Sequence, residues 1–216
     1  MRHLSREQRC CFFRRSNAIN AALPVWVLAL FPCMLLCSVV TPLFSATSIP
    51  LDLPEIAQQA DIIADVNVVS LESYWATPAG EKAIRTRVTF TINKLLKGAV
   101  SSPFSLDLLG GTVGGRTVQV PGIPQLAIGQ RLIIFAHGPG NAYVSPFLGV
   151  DQGVLRVIRD QATNTDRVLR WWGQPVNESQ DFKSRVAPSP LAAADQLRSA
   201  NSVDEFSQRV SKMLNQ

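Results

Sequence analysis

Histidine is almost absent from this 216-residue chain: of two, His3 and His137, only the second lies beyond the first 48 residues. A multi-histidine metal site is thereby ruled out, and a Ser-His-Asp relay would have to run through His137 without a G-x-S-x-G elbow to present its serine. All four cysteines, Cys10, Cys11, Cys33 and Cys37, also fall in the first 48 residues. The remainder therefore has no disulfide and no thiolate metal site. Five acids, Asp61, Asp65, Glu72, Asp107 and Asp151, are spread along the chain. Carboxylate pairs hydrolyse glycosides when about 5 to 9 Å apart, but sequence spacing gives no reason for these to converge. No catalytic residue, metal or cofactor is expected.

Two stretches have the composition of a binding surface. The first is Leu108 to Phe135, with glycines at 110, 111, 114, 115, 122 and 129. A glycine loop cradles phosphate when a helix N-terminus follows it, with a Lys-Ser/Thr pair in the P-loop form. Here Arg116-Thr117-Val118 follows, so tight turns at Gly110, Gly111, Thr112, Gly114, Gly115 and Arg116 are expected, with a partner-binding loop as the functional alternative. The second stretch is aromatic: the pairs Tyr74-Trp75 and Trp171-Trp172. Neighbours on a strand face opposite ways, so one member of each pair should be buried and the other exposed. An exposed tryptophan wants a helix, a partner or a sugar face to pack on, and core packing under the C-terminal helices is the plainer expectation. Arg156, Arg159, Arg167 and Arg170 lie close to Trp171 in sequence and can make a local basic surface.

The elements that must carry these residues read mostly as strands. Asp52-Leu53-Pro54-Glu55 starts a short helix to Ala60, with a cap, an early proline and an acid three residues on. Strands are predicted at Ile62 to Val69, Ile84 to Leu96, Phe104 to Leu109, Thr117 to Val120, Gln130 to Ala136, Ala142 to Leu148, Gly153 to Arg159 and Arg167 to Trp171. The second alternates Ile84, Thr86, Val88, Phe90 and Ile92 against Arg85, Arg87, Thr89, Thr91 and Asn93, one buried and one solvated face. Gly173 to Pro188 reads as a surface loop. Ser189-Pro190 then leads a helix over Leu191 to Ala200, and Ser202-Val203-Asp204-Glu205 is a capping box for a last helix with Val203, Phe206, Val210 and Leu214 on one side. Many short strands with Gly/Pro turns and no interleaved helices predict a mainly β fold, an antiparallel barrel or sandwich of OB-like type with one N-terminal and two C-terminal helices.

Residues 1–48 are read as an export segment. Five arginines against one acid precede an apolar stretch from Ala18 to Ala46, ending in the small residues Ser45-Ala46-Thr47-Ser48, where cleavage is expected. The stretch is also long enough to span a bilayer, which takes about 20 residues, so a retained anchor is the alternative; Pro24, Pro32 and Pro42 weaken it. A lipid attached at Cys37 is disfavoured because the bulky Leu36 precedes it. The basic surplus belongs to this segment: beyond it 16 basic residues face 15 acidic ones, a net charge of +1. Nucleic-acid binding, which needs clustered Lys and Arg, gains no support. The remaining residues form one domain, 49–172 barrel-like and 173–216 loop and helices, large enough to be stable without staples.

The run Ala60-Asp61-Ile62-Ile63, the strand ending Leu95-Leu96-Lys97-Gly98, the loop Gly110-Gly111-Thr112-Val113-Gly114-Gly115, then Gly122-Ile123-Pro124 and Gly129-Gln130-Arg131, resembles an uncharacterised family of exported bacterial proteins over roughly Leu53 to Arg159. The same order is more loosely similar to the netrin-like and metalloproteinase-inhibitor domains, which are OB-type barrels. That family's inhibitors act through an N-terminal cysteine, which is missing here, so only barrel topology is implied. The expected role is a non-enzymatic binding or interaction protein of the bacterial envelope, periplasmic or secreted, with another envelope protein such as a protease as partner and membrane contact only through residues 1–48. A small hydrolase using carboxylates or His137 is the competing expectation.

Overall fold

The computed structural model describes residues 50–77, 82–140, 143–176 and 193–216; the expected export segment, the Ser189-Pro190 helix start and most of the Gly173 to Pro188 loop lie outside them. The elements in chain order are α1 (Leu53–Gln59), β1 (Ile62–Ala76), β2 (Ala83–Lys97), β3 (Phe104–Leu109), β4 (Gly111–Val113), β5 (Arg116–Val118), β6 (Arg131–Ala136), β7 (Val154–Asp160), β8 (Thr165–Arg170), α2 (Ala193–Ser199) and α3 (Val203–Leu214). Six strands form one antiparallel sheet in the order β3-β2-β1-β6-β7-β8, and β4 and β5 form a separate hairpin. The protein is therefore mainly β with three short helices. The sheet is open, with β3 and β8 at its edges, so the expected closure into a barrel is not seen.

The centre of the sheet is β6, Arg-Leu-Ile-Ile-Phe-Ala, in which every residue after Arg131 is buried. A continuous apolar run of this kind suits a strand covered on both faces. Ile133 and Phe135 point into one core cluster with Ile63, Leu155, Val168 and the inner sides of α1 and α3. Leu132, Ile134 and Ala136 point into the other, with Val66, Val68, Val88, Phe90, Leu106 and Ile123. The helices thus cover one face, and the 118–128 and 143–150 segments cover the other. Ser202 caps α3 as its sequence predicts: its Oγ accepts from the Glu205 N–H at 3.2 Å, and Glu205 accepts from the Ser202 N–H at 2.8 Å. This sets Phe206 edge-on to Phe135, ring centres 6.4 Å apart.

Several boundaries differ from expectation. β1 does not stop at Val69 but runs to Ala76, paired with β2 along its length and interrupted by register shifts near Ile63, Asp65 and Val68. Such shifts bend a strand and increase its twist. No strand forms over the described part of Ala142 to Leu148. Pro146 has no N–H to give a ladder, and only Phe147 makes a bridge, to Ala136. The strand expected at Thr117 to Val120 is instead Arg116–Val118, and Gly111–Val113 is its unforeseen partner. Arg85, assigned to a solvated face, is buried at 6% exposure.

Candidate functional site

The glycine stretch resolves into two devices. Gly110 and Gly111 hold the β3–β4 join against the sheet: the Gly110 N–H donates to Ile84 O at 2.8 Å, and its carbonyl accepts from Thr86 Oγ1 at 2.8 Å. Gly111 has φ +129°, and a Cβ there would run into the Ser73 and Thr86 hydroxyls. Gly114 and Gly115, with φ +57° and +78°, form the tip of the β4–β5 hairpin and face open space. Two successive positive φ angles are what a two-residue hairpin turn demands. Thr112 faces Thr117 across the hairpin, hydroxyl to hydroxyl at 2.9 Å, and Arg116 is exposed. Strand β5, and no helix, follows the loop.

Beyond β5 the chain makes a second turn, Val120-Pro121-Gly122-Ile123. The Ile123 N–H reaches Val120 O at 3.3 Å and Gly122 has φ +87°, the arrangement that a Pro-Gly pair favours. This turn anchors Ile123 in the core and leaves Pro121 and Gly122 on the surface. Opposite it stand Trp171 and Trp172, just after β8. Trp171 packs against the core cluster away from the helices, so the expected cover by the C-terminal helices is not what holds it. Trp172 is 43% exposed, and its indole N–H donates to Asp151 Oδ2 at 2.7 Å. Together Gln119, Pro121, Gly122, Gln125, Trp171 and Trp172 line a hollow of about 390 Å³. Of the residues expected to bind, Trp171 and Trp172 line it and Gly110, Gly111, Thr112, Gly114, Gly115 and Arg116 do not; the glycine stretch contributes only its later turn, about fifty residues before the tryptophans. Among the described residues no charged side chain lines the hollow; of the arginines near it in sequence, Arg159 pairs with Asp166 and Arg167 donates to Ala200 O.

The acids do not converge. Asp65 is buried and receives Arg131 at 2.6 Å. Asp107 receives Arg87 through both oxygens, at 3.0 and 3.1 Å, and the Tyr74 hydroxyl at 2.8 Å. Burial alone would push the Asp107 carboxyl up, but the hydrogen bonds from Arg87 and Tyr74 and the charges of Arg87 and Arg85 hold it below its usual value. Asp151 carries Trp172. Asp61 accepts from the Gly138 N–H at 2.9 Å, and His137 lies 3.9 Å from it, stacked on Tyr143. Glu72 is exposed and registers with Arg87 across the β1–β2 pair. Among the described residues no group of three or more His, Cys, Asp or Glu is placed to hold a metal, and no helix is long and apolar enough to cross a membrane.

Sequence reading overlooked the Tyr74-Arg87-Asp107 network and the depth of Arg85. The first had a signal, opposite charges on neighbouring predicted strands; the second had none, because its cover comes from the distant segment around Tyr143. No protein-family model matches the chain, and no curated protein matches it either.

Proposed function

We propose that the chain is an exported, non-enzymatic binding protein of the bacterial envelope that holds another envelope protein against the Trp171–Trp172 hollow. The observation that carries this reading is the convergence of the Pro121-Gly122 turn on an exposed indole whose edge is already tied to Asp151. An anchored aromatic face beside a rigid turn offers contact area with little ordering cost, which is what contact hot spots need. Among the described residues the lining has amides and rings but no charge, suiting an uncharged, partly apolar segment of the partner. The OB-like character of the sheet belongs to the same proposal and is supported by the bent, register-shifted β1. The hydrolase alternative draws no comparable support, since each acid in question is separately engaged or exposed.

Export is proposed from residues 1–48, and N-terminal sequencing of the protein from the periplasmic fraction tests it: a chain starting near Ser45 to Ser48 is expected. For binding, cross-linking in that fraction with the full chain and its Trp172→Ala variant is the test. A partner bound by the first and lost from the second, with the β-sheet spectrum unchanged, is expected. Equal recovery by both variants places binding elsewhere and defeats the proposal.

A further inference from the structure

A second hollow, of about 320 Å³, lies where edge strand β3 meets residues 138–140 and Pro146, lined among others by Tyr74, Arg85, Ser105, Asp107, Gly138 and Gly140. Its unusual member is Arg85. The guanidinium belongs to a residue only 6% exposed, and its Nη1 donates to Tyr143 O at 2.8 Å. Its Nε is buried with no hydrogen-bond partner. Among the described residues no carboxylate pairs with it, whereas Arg87, Arg131 and Arg159 each have one. A buried guanidinium with no carboxylate in direct contact is costly, and a fold that keeps one beside an open hollow has a use for it.

Asp107, in the same hollow, feels the charge of Arg85 but does not pair with it, because both its oxygens are engaged by Arg87 and one also by Tyr74. Counting Arg85, Arg87 and Asp107 together leaves one positive charge. A singly charged carboxylate balances it, while a phosphate dianion would add surplus negative charge beside Asp107 and near Asp61, which accepts from the Gly138 N–H. The Gly138-Pro139-Gly140 wall offers backbone and small side chains, leaving room for the body of a ligand. We propose that Arg85 anchors a carboxylate-binding site at the β3 edge, separate from the tryptophan hollow, taking either a small organic acid or the C-terminal carboxylate of a peptide.

The test is amide chemical-shift mapping on the full chain with N-acetylglycine, its neutral twin N-acetylglycinamide, an acetylated tetraalanine with free or amidated end, and inorganic phosphate. The expected result is saturable shifts at Ser105 to Asp107 and at Gly138 and Gly140 with a free carboxylate, and binding about ten- to a hundredfold weaker for the amide, the loss of one charge-assisted contact. Binding by both acids marks small acids as sufficient; binding by the tetraalanine acid alone marks a chain end; either supports the site. Arg85→Gln should abolish the difference between acid and amide, and Arg85→Lys, which keeps the charge if the shorter change fails to fold, should retain part of it. Trp172→Ala should leave it unchanged, so a failed partner assay and a failed carboxylate assay are told apart. Equal shifts with acid and amide, tighter binding of phosphate, or no shifts at all would overturn the proposal.

Discussion

Gly111 and Gly114 carry the same residue type and answer to different physics. At Gly111 a methyl group has no room, because the Ser73 and Thr86 hydroxyls occupy its place. Gly111→Ala should therefore lower stability by more than about 2 kcal/mol, as overpacking and an unfavourable φ act together. At Gly114 nothing stands within 4 Å, and only the left-handed backbone resists, at about 1 kcal/mol. Gly114→Asn, a residue that tolerates this conformation, should be nearly neutral; urea midpoints for the two variants separate the cases. Acid sensitivity is set at this scale too. Hydrogen bonding from Arg159, with the charges of Arg159 and Arg131, lowers Asp166 against the opposing effect of burial, and Asp107 is lowered as described. A carboxylate with a depressed folded value adds stability that is complete above its unfolded value, about 3.9, and is lost as pH falls through the folded one. Denaturant midpoints should hold from pH 7 down to about 5 and drop on going below about 4, and Asp107→Asn should flatten that drop. The sequence made the glycines visible as turns but not the difference between them, because that difference depends on β1 and β2 side chains brought in from residues 73 and 86.

The helices and strands that were legible are those whose pattern is local. The α3 capping box and stripe lie within a dozen residues and read directly: Ser202→Ala should cost about 1 kcal/mol through loss of the cap, and Phe206→Ala about 3 to 5 through the cavity beneath Phe135, both measurable by thermal unfolding. The alternation of β2 placed its core side correctly as far as Phe90. Arg85 escaped that pattern because its cover is the Tyr143 segment rather than its own strand. The expected strand at 142–148 shows the opposite error. Phe147 and Leu148 are genuine core while Val144 is exposed, so the burial is a consecutive run over 146–148 in a covering loop, which a short apolar run alone does not distinguish from a strand.

At the scale of the molecule, the edges of the open sheet are partly covered. On β8 the Val168 N–H donates to Asn201 O and the Arg170 N–H to Gln174 O; on β3 the Leu109 N–H donates to Val144 O. Covered edges resist pairing with other chains. Disrupting the β8 cover with Asn201→Pro should raise the tendency to aggregate on mild heating, read by light scattering. Both core clusters share β6, so Ile133→Ala, which empties only the helix-side cluster, should still leave one cooperative transition, seen as coincident fluorescence and circular-dichroism unfolding curves. The mainly β class followed from the strand pattern and turn residues; the open topology did not, because strand order rests on pairings between distant residues.

The pairing of β1 with β6 joins Ile63 to Phe135, partners 72 positions apart in the chain. Closing so long a loop before any contact rewards it makes assembly slow relative to local hairpins. Until residue 136 is available, β1 and β2 can pair as a hairpin but have no central strand to complete either core, and an isolated hairpin is marginal in water. A chain built this way stays threadable while most of it is already made, and becomes compact only when its middle third is free. Under the export proposed from residues 1–48, that delay would keep the chain threadable until it has crossed the membrane.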